Sequence, residues 1–197
     1  MRREWKLLLG AAAVALPGGA LVAGAWWLWR RAGGMEKGSV MTGARIHNRH
    51  RADGMRAELR AFLDWWEAHG PFPLQIPPLG GLRTDAEQAA LYAQGRTAPG
   101  ARVTNAATAR DTPHGRGAAL DVYPVREVNF AGGVARIWTG DESDPAERAH
   151  ARALLARVGE AAEARGLVWG GRWNGLEDLP HLELPNWLEL PMPGGVA

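Results

Sequence analysis

The stretch TPHGRGAALD, Thr112 to Asp121, sets His114 and Asp121 seven residues apart with two glycines and two alanines between them. Two side chains that bind divalent metals thus flank a run with almost no side-chain bulk. The run leads into AALDVYP, residues 118–124, where Leu120 and Val122 alternate with Asp121 and Tyr123. That period of two is the mark of a strand with one apolar face and one polar face. PHLEL, residues 180–184, repeats the pattern: Leu182 and Leu184 alternate with His181 and Glu183. LVWGG, residues 167–171, is a third strand-like run. Asp121 and His181 are therefore expected on the polar sides of strands whose other sides bind a core, which holds a ligand rigidly.

Three helices are expected around these strands. The first has Asp53 as its cap and Met55, Leu59, Phe62, Leu63 and Trp66 on one face, and His69-Gly70-Pro71 ends it. The second opens on a capping box, Thr84 with Glu87, and closes at Gly95. The third has Asp144 as N-cap, Pro145 at N1, Glu147 at N3 and Gly166 past its end. Helices around a small antiparallel sheet make an α+β domain.

The 197 residues suffice for one domain with a real core. The absence of cysteine excludes disulfides, thiolate nucleophiles and cysteine-held zinc, so a metal here must be held by His, Asp or Glu. The net charge of +2 is unevenly placed. Arg2, Arg3, Lys6, Arg30 and Arg31 stand against Glu4 in the first 35 residues, which leaves 18 basic and 20 acidic residues in 36–197. No basic stripe remains for nucleic acid, and that class of partner is excluded.

Leu7 to Trp29 carries no charge over 23 residues. At about 1.5 Å each these reach roughly 34 Å, enough for a hydrocarbon core of about 30 Å. Trp5 lies at one end and Trp26, Trp27 and Trp29 at the other, as interfacial belts do. Residues 1–31 read as a membrane anchor. A cleaved signal peptide is the alternative, since Ala23-Gly24-Ala25 forms a small-residue cleavage site. A signal-arrest-release segment, as in some phage lysis enzymes, is a third. Residues 32–52 show no period and read as a linker in which His47 and His50 are solvated, and 53–197 form the folded domain. No feature of the sequence sets the oligomeric state.

His114, Asp121 and His181 are the candidate metal ligands. A structural zinc is closed by four protein ligands, whereas a catalytic zinc takes three and keeps a water. Two imidazoles and one carboxylate thus favour catalysis. Asp178, three residues before His181, is the candidate general base. Pro180 opposes a helix there, so the pair should lie on a turn entering a strand. Glu177 is the nearby alternative base, and Glu183, on the strand face of His181, is expected to support that ring instead.

GLRTDAEQAALYAQGRTAPGARVTNA (81–106), TPHGRGAALD and DLPHLEL (178–184), the last after a Trp-Gly-Gly-x-Trp stretch, together resemble the zinc D-Ala-D-Ala peptidases of the vancomycin-resistance carboxypeptidase type. The likeness is greater to their L-alanyl-D-glutamate endopeptidase branch, which includes phage endolysins and bacterial wall hydrolases. It spans about Arg83 to Glu183, through His-x-x-Gly-x-Ala-x-Asp and, some sixty residues on, Asp-x-Pro-His.

The resemblance implies a hedgehog/DD-peptidase-like zinc fold, with Zn2+ on His114, Asp121 and His181, Asp178 as the catalytic carboxylate, and Arg83 at the substrate or transition state. A guanidinium near a developing oxyanion also has merit of its own. Thr112 stands where the family usually has serine, and Leu182 where it has phenylalanine; neither change removes a ligand. Gly117 and Ala119 are expected to clear space at the metal strand.

The implied function is hydrolysis of an amide in peptidoglycan stem peptides, at the L-Ala–D-Glu bond. Cleavage of terminal D-Ala-D-Ala and a zinc-stabilised wall-binding module without turnover are the alternatives. Such a substrate would put the domain outside the inner membrane, anchored through the N-terminus, or secreted.

Overall fold

The computed structural model describes residues 45–129, 134–175 and 177–193. Its helices are α1 (Ala57–His69), α2 (Asp85–Ala93) and α3 (Pro145–Glu163). Its strands are β1 (Ile46–His47), β2 (Leu74–Gln75), β3 (Ala119–Asp121), β4 (Tyr123–Asn129), β5 (Val134–Ile137), β6 (Val168–Trp169) and β7 (His181–Glu183). The class is α+β, with two small sheets where the sequence suggested one. β1-β2-β4-β5 form the first, with β1 and β2 parallel and the other pairs antiparallel. β3-β7-β6 form the second, which is antiparallel throughout.

The split falls at Val122. Its side chain continues the alternation into the core, but its N–H donates to the Pro180 carbonyl at 3.0 Å. The chain therefore leaves one sheet and joins the other within the run that reads as a single strand.

The core closes on both sheets from α1 and α3. Leu59, Phe62, Leu63 and Trp66 of α1 meet Leu74, Ile76, Leu120, Val122, Leu182 and Leu184. Val158 and Ala162 of α3 join them beside Leu167 and Trp169. Gly159 has a packing reason, since a Cβ there would lie 2.0 Å from the Trp169 ring. The helix accepts a glycine, at about 1 kcal/mol in propensity, so that an indole can press against its backbone.

Two helix starts agree with the capping chemistry. Thr84 and Glu87 form the reciprocal box on α2, and Asp144 accepts from Ala146 and Glu147 on α3, with Pro145 in the first turn. The first helix differs: its N-cap is Arg56 without a side-chain bond, not Asp53. Met55 is buried all the same, from the turn that precedes the helix.

The packed body also reaches further back than Asp53. Ile46 and Ala52 are core residues and β1 pairs with β2, so 46–52 are structured although they have no helical or strand period. The reason is length: a two-residue strand and a 3-10 turn at Arg49–Ala52 are too short to show one. His47 is buried, where the sequence suggested a solvated position. Residues 32–44 and the uncharged stretch 7–29 lie outside the described residues. Among the described residues no helix is long and apolar enough to cross a membrane.

Candidate active site

β3 and β7 place Asp121 directly opposite His181, and Leu120 opposite Leu182. Paired positions share a face, so one cross-strand pair enters the core while the next presents a carboxylate and an imidazole. His114 arrives from the turn before β3. The Thr112 hydroxyl fastens that turn, donating to the Ala109 carbonyl at 2.8 Å and accepting from the Gly115 N–H at 3.0 Å. Gly115 is required there, because a Cβ would lie 2.0 Å from the Ala109 carbonyl oxygen. Gly117 has φ +63°, and a Cβ on it would face the Gly54 carbonyl. It serves the turn and does not clear the cleft as expected.

His114, Asp121 and His181 converge, with one potential ligand atom from each, all within 4.8 Å of one another. Asp121 Oδ1 lies 3.4 Å from His114 Nε2 and 3.0 Å from His181 Nδ1. Each ring is also held from behind. His114 Nδ1 is 3.0 Å from the Gly81 carbonyl, to which it must donate, and this leaves the Nε2 lone pair facing Asp121. Glu183 Oε2 is 3.1 Å from His181 Nε2, which leaves Nδ1 for the shared point. A carboxylate or carbonyl behind each imidazole is the support that metal-binding histidines use. Two ring nitrogens and a carboxylate oxygen, oriented and nearly buried, fit a zinc ion.

The electrostatics agree. Burial pushes Asp121 up, but the charges and hydrogen bonds of His114 and His181 outweigh it and hold the carboxyl well below its usual range. Burial lowers His114 against the pull of Asp121, which favours a neutral ring. Burial also opposes charge on His181, yet the bonds to Asp121 and Glu183 raise it to about 10. A cation at Nδ1 would displace that proton.

Asp178 lies on the turn into β7, as the sequence suggested. Its N–H donates to the Gly170 carbonyl at 3.1 Å, and its carbonyl accepts from the His181 N–H at 3.3 Å. Gly170 permits this approach, since a Cβ there would lie 2.6 Å from the Asp178 carbonyl oxygen. Burial first, and then the Asp121 charge, push the Asp178 carboxyl up to about 6. Glu177 is otherwise engaged, bound by Arg152 at 2.5 and 2.6 Å. Both carboxylates border the cleft, and Asp178 is the one without an arginine partner.

Arg83 is almost enclosed. Nη1 donates to Gln88 at 3.1 Å and Nη2 to the Leu79 carbonyl at 3.0 Å, while Nε is buried without a partner. Burial lowers its pKa against the opposing charges of Asp121, Glu87 and Asp178. The sequence reasoning missed Gln88, which is fully buried and also donates to Thr104 and Ala106. A glutamine on the inward face of α2, one turn before Leu91, was the available signal. It also missed Trp173, whose ring is 5.0 Å from that of His181. Arg83, His114, Asp121, Trp173, Asp178 and His181 border one cleft of about 750 Å³, with Tyr123, Thr139, Asp141 and Trp187 along its walls.

Comparison with known proteins addresses the same region. Residues 106–184 match the family model described as D-alanyl-D-alanine carboxypeptidase. The peptidoglycan L-alanyl-D-glutamate endopeptidase CwlK of Bacillus subtilis (strain 168) is 34% identical over 107 residues, which are 54% of this chain and 59% of CwlK. The chain thus matches about three-fifths of the length of that relative. A crystal structure of the Serratia marcescens L-Ala D-Glu endopeptidase ChiX superposes with a TM-score of 0.48 at 22% identity, covering 71% of this chain and 86% of ChiX. Residues 106–184, which carry His114, Asp121, Asp178 and His181, are thus similar to the family described as D-alanyl-D-alanine carboxypeptidase.

Proposed function

We propose that this protein is a zinc-dependent hydrolase that cuts an amide bond in the stem peptides of peptidoglycan, at the L-Ala–D-Glu linkage. The observation that carries the reading is the convergence of His114, Asp121 and His181 beside a buried Asp178 in an open cleft. Zn2+ would be held by those three side chains, and when bound it would polarise the scissile carbonyl and make water nucleophilic near neutral pH.

The remaining work falls to the chain itself. Asp178, raised towards neutrality, accepts a proton from the attacking water and returns it to the leaving amine. Glu183 and the Gly81 carbonyl keep both imidazoles oriented. Arg83, fixed by Gln88 and Leu79, supplies positive charge beside the reacting carbonyl. A wall-binding module would have no use for a buried proton carrier at the cleft.

CwlK, by its name an L-alanyl-D-glutamate endopeptidase, supports the choice of bond. The description of the family model supports the second reading, release of terminal D-Ala. Digestion of purified sacculi followed by mass spectrometry of the new termini decides between them. New N-terminal D-Glu is the expected product; released D-Ala would establish the carboxypeptidase.

Such a substrate requires the domain outside the inner membrane. The uncharged stretch Leu7 to Trp29 supports an N-terminal anchor that delivers it there. A reporter fused after residue 35 should be active only outside the cytoplasm, and a cytoplasmic signal would refute this placement.

A further inference from the structure

The cleft contains a hydroxyl that the mechanism above does not use. Tyr123 opens β4 two residues after Asp121 and projects from the same side of the chain, while Leu120 and Val122 turn into the core. It borders the cleft, is only 8% exposed, and its hydroxyl makes no hydrogen bond to any described residue. The ring is enclosed while the hydroxyl is open to the cleft, where it can donate to a ligand.

Of the other hydroxyl and guanidinium groups along the cleft, Thr112 donates to the Ala109 carbonyl, Thr139 to Glu142 and Arg152 to Glu177, while Thr104 accepts from Gln88 and the Ala106 N–H. Arg83 has both terminal nitrogens bonded to the protein and its Nε closed to solvent. Arg83 lends charge at the cleft, and a hydroxyl there would add a hydrogen bond to that contribution.

Resting on the hydrolase reading, we propose that Tyr123 is a further catalytic residue. Its neutral hydroxyl donates a hydrogen bond to the scissile carbonyl oxygen as negative charge gathers there, and no proton leaves it. A donor aimed at charge that develops only during attack accelerates the step without tightening substrate binding. Burial first, and then the charges of Asp121, Asp178 and Asp141, raise the pKa of the Tyr123 hydroxyl and keep it neutral.

The test is Tyr123→Phe in the full chain, which removes one oxygen and keeps the ring. On soluble muropeptides kcat should fall about a hundredfold, the scale of a lost oxyanion donor. KM should stay within twofold, with zinc stoichiometry and Tm unchanged because the hydroxyl holds nothing in the protein. A phosphinate analogue of the cleaved dipeptide should bind the variant correspondingly more weakly. Unchanged kcat, a rise in KM alone, or loss of zinc or of Tm would each overturn the assignment. A wild-type protein that leaves muropeptides intact would instead remove the hydrolase reading, and this inference with it.

Discussion

The two faces of the β3–β7 pair are built from neighbouring residues and do opposite work. Leu120 and Leu182 face each other in the core, at 0% and 1% exposure. One residue further along, Asp121 and His181 face each other at the cleft. The apolar pair contributes by being removed from water; the polar pair holds a carboxylate against an imidazole at 3.0 Å, where a cation can join them. The proposed function is thus mounted on the reverse side of residues in the core. Changes on one face should separate from changes on the other.

The largest separation is expected from the ligands. His181→Ala or His114→Ala should abolish hydrolysis and zinc binding, measured by sacculus digestion and metal analysis, while the metal-free protein keeps its circular dichroism spectrum. Chelation of the wild type should do the same reversibly, with activity restored by added zinc. Next comes Asp178→Ala, which should lower kcat about a thousandfold, within the range for a general acid–base, and leave zinc stoichiometry near one. Unchanged hydrolysis would refute the base. On the other face, Leu120→Ala should cost about 2–5 kcal/mol of stability by denaturant titration and spare zinc stoichiometry under folding conditions. Smallest, and distant from both faces, Asp144→Ala should cost about 1 kcal/mol by removing the cap of α3.

The same comparison shows what the sequence could disclose. His114, Asp121, Asp178 and His181 were legible because strand alternation, a proline and small-residue runs are local signals, and the caps of α2 and α3 are local too. What stayed hidden depends on partners distant in the chain. β1 exists because β2 pairs with it, and the turn at Val122 exists because the Pro180 carbonyl accepts its N–H. Met55 sits at helical spacing from Leu59 yet is buried by a turn, so a correct core residue gave a wrong helix start. Gly81 and Gln88 support the site through a backbone carbonyl and a buried amide, which carry no signature of their own. Glu183 was readable because it shares a strand face with His181.

The central claim is that one cation joins the polar face through three side chains. Anomalous diffraction at the zinc edge from crystals of the zinc-loaded protein tests it most directly. The account predicts one peak within about 2.0–2.2 Å of His114 Nε2, an Asp121 carboxylate oxygen and His181 Nδ1. A zinc-loaded crystal with no peak there, or with its metal bound elsewhere, would contradict it.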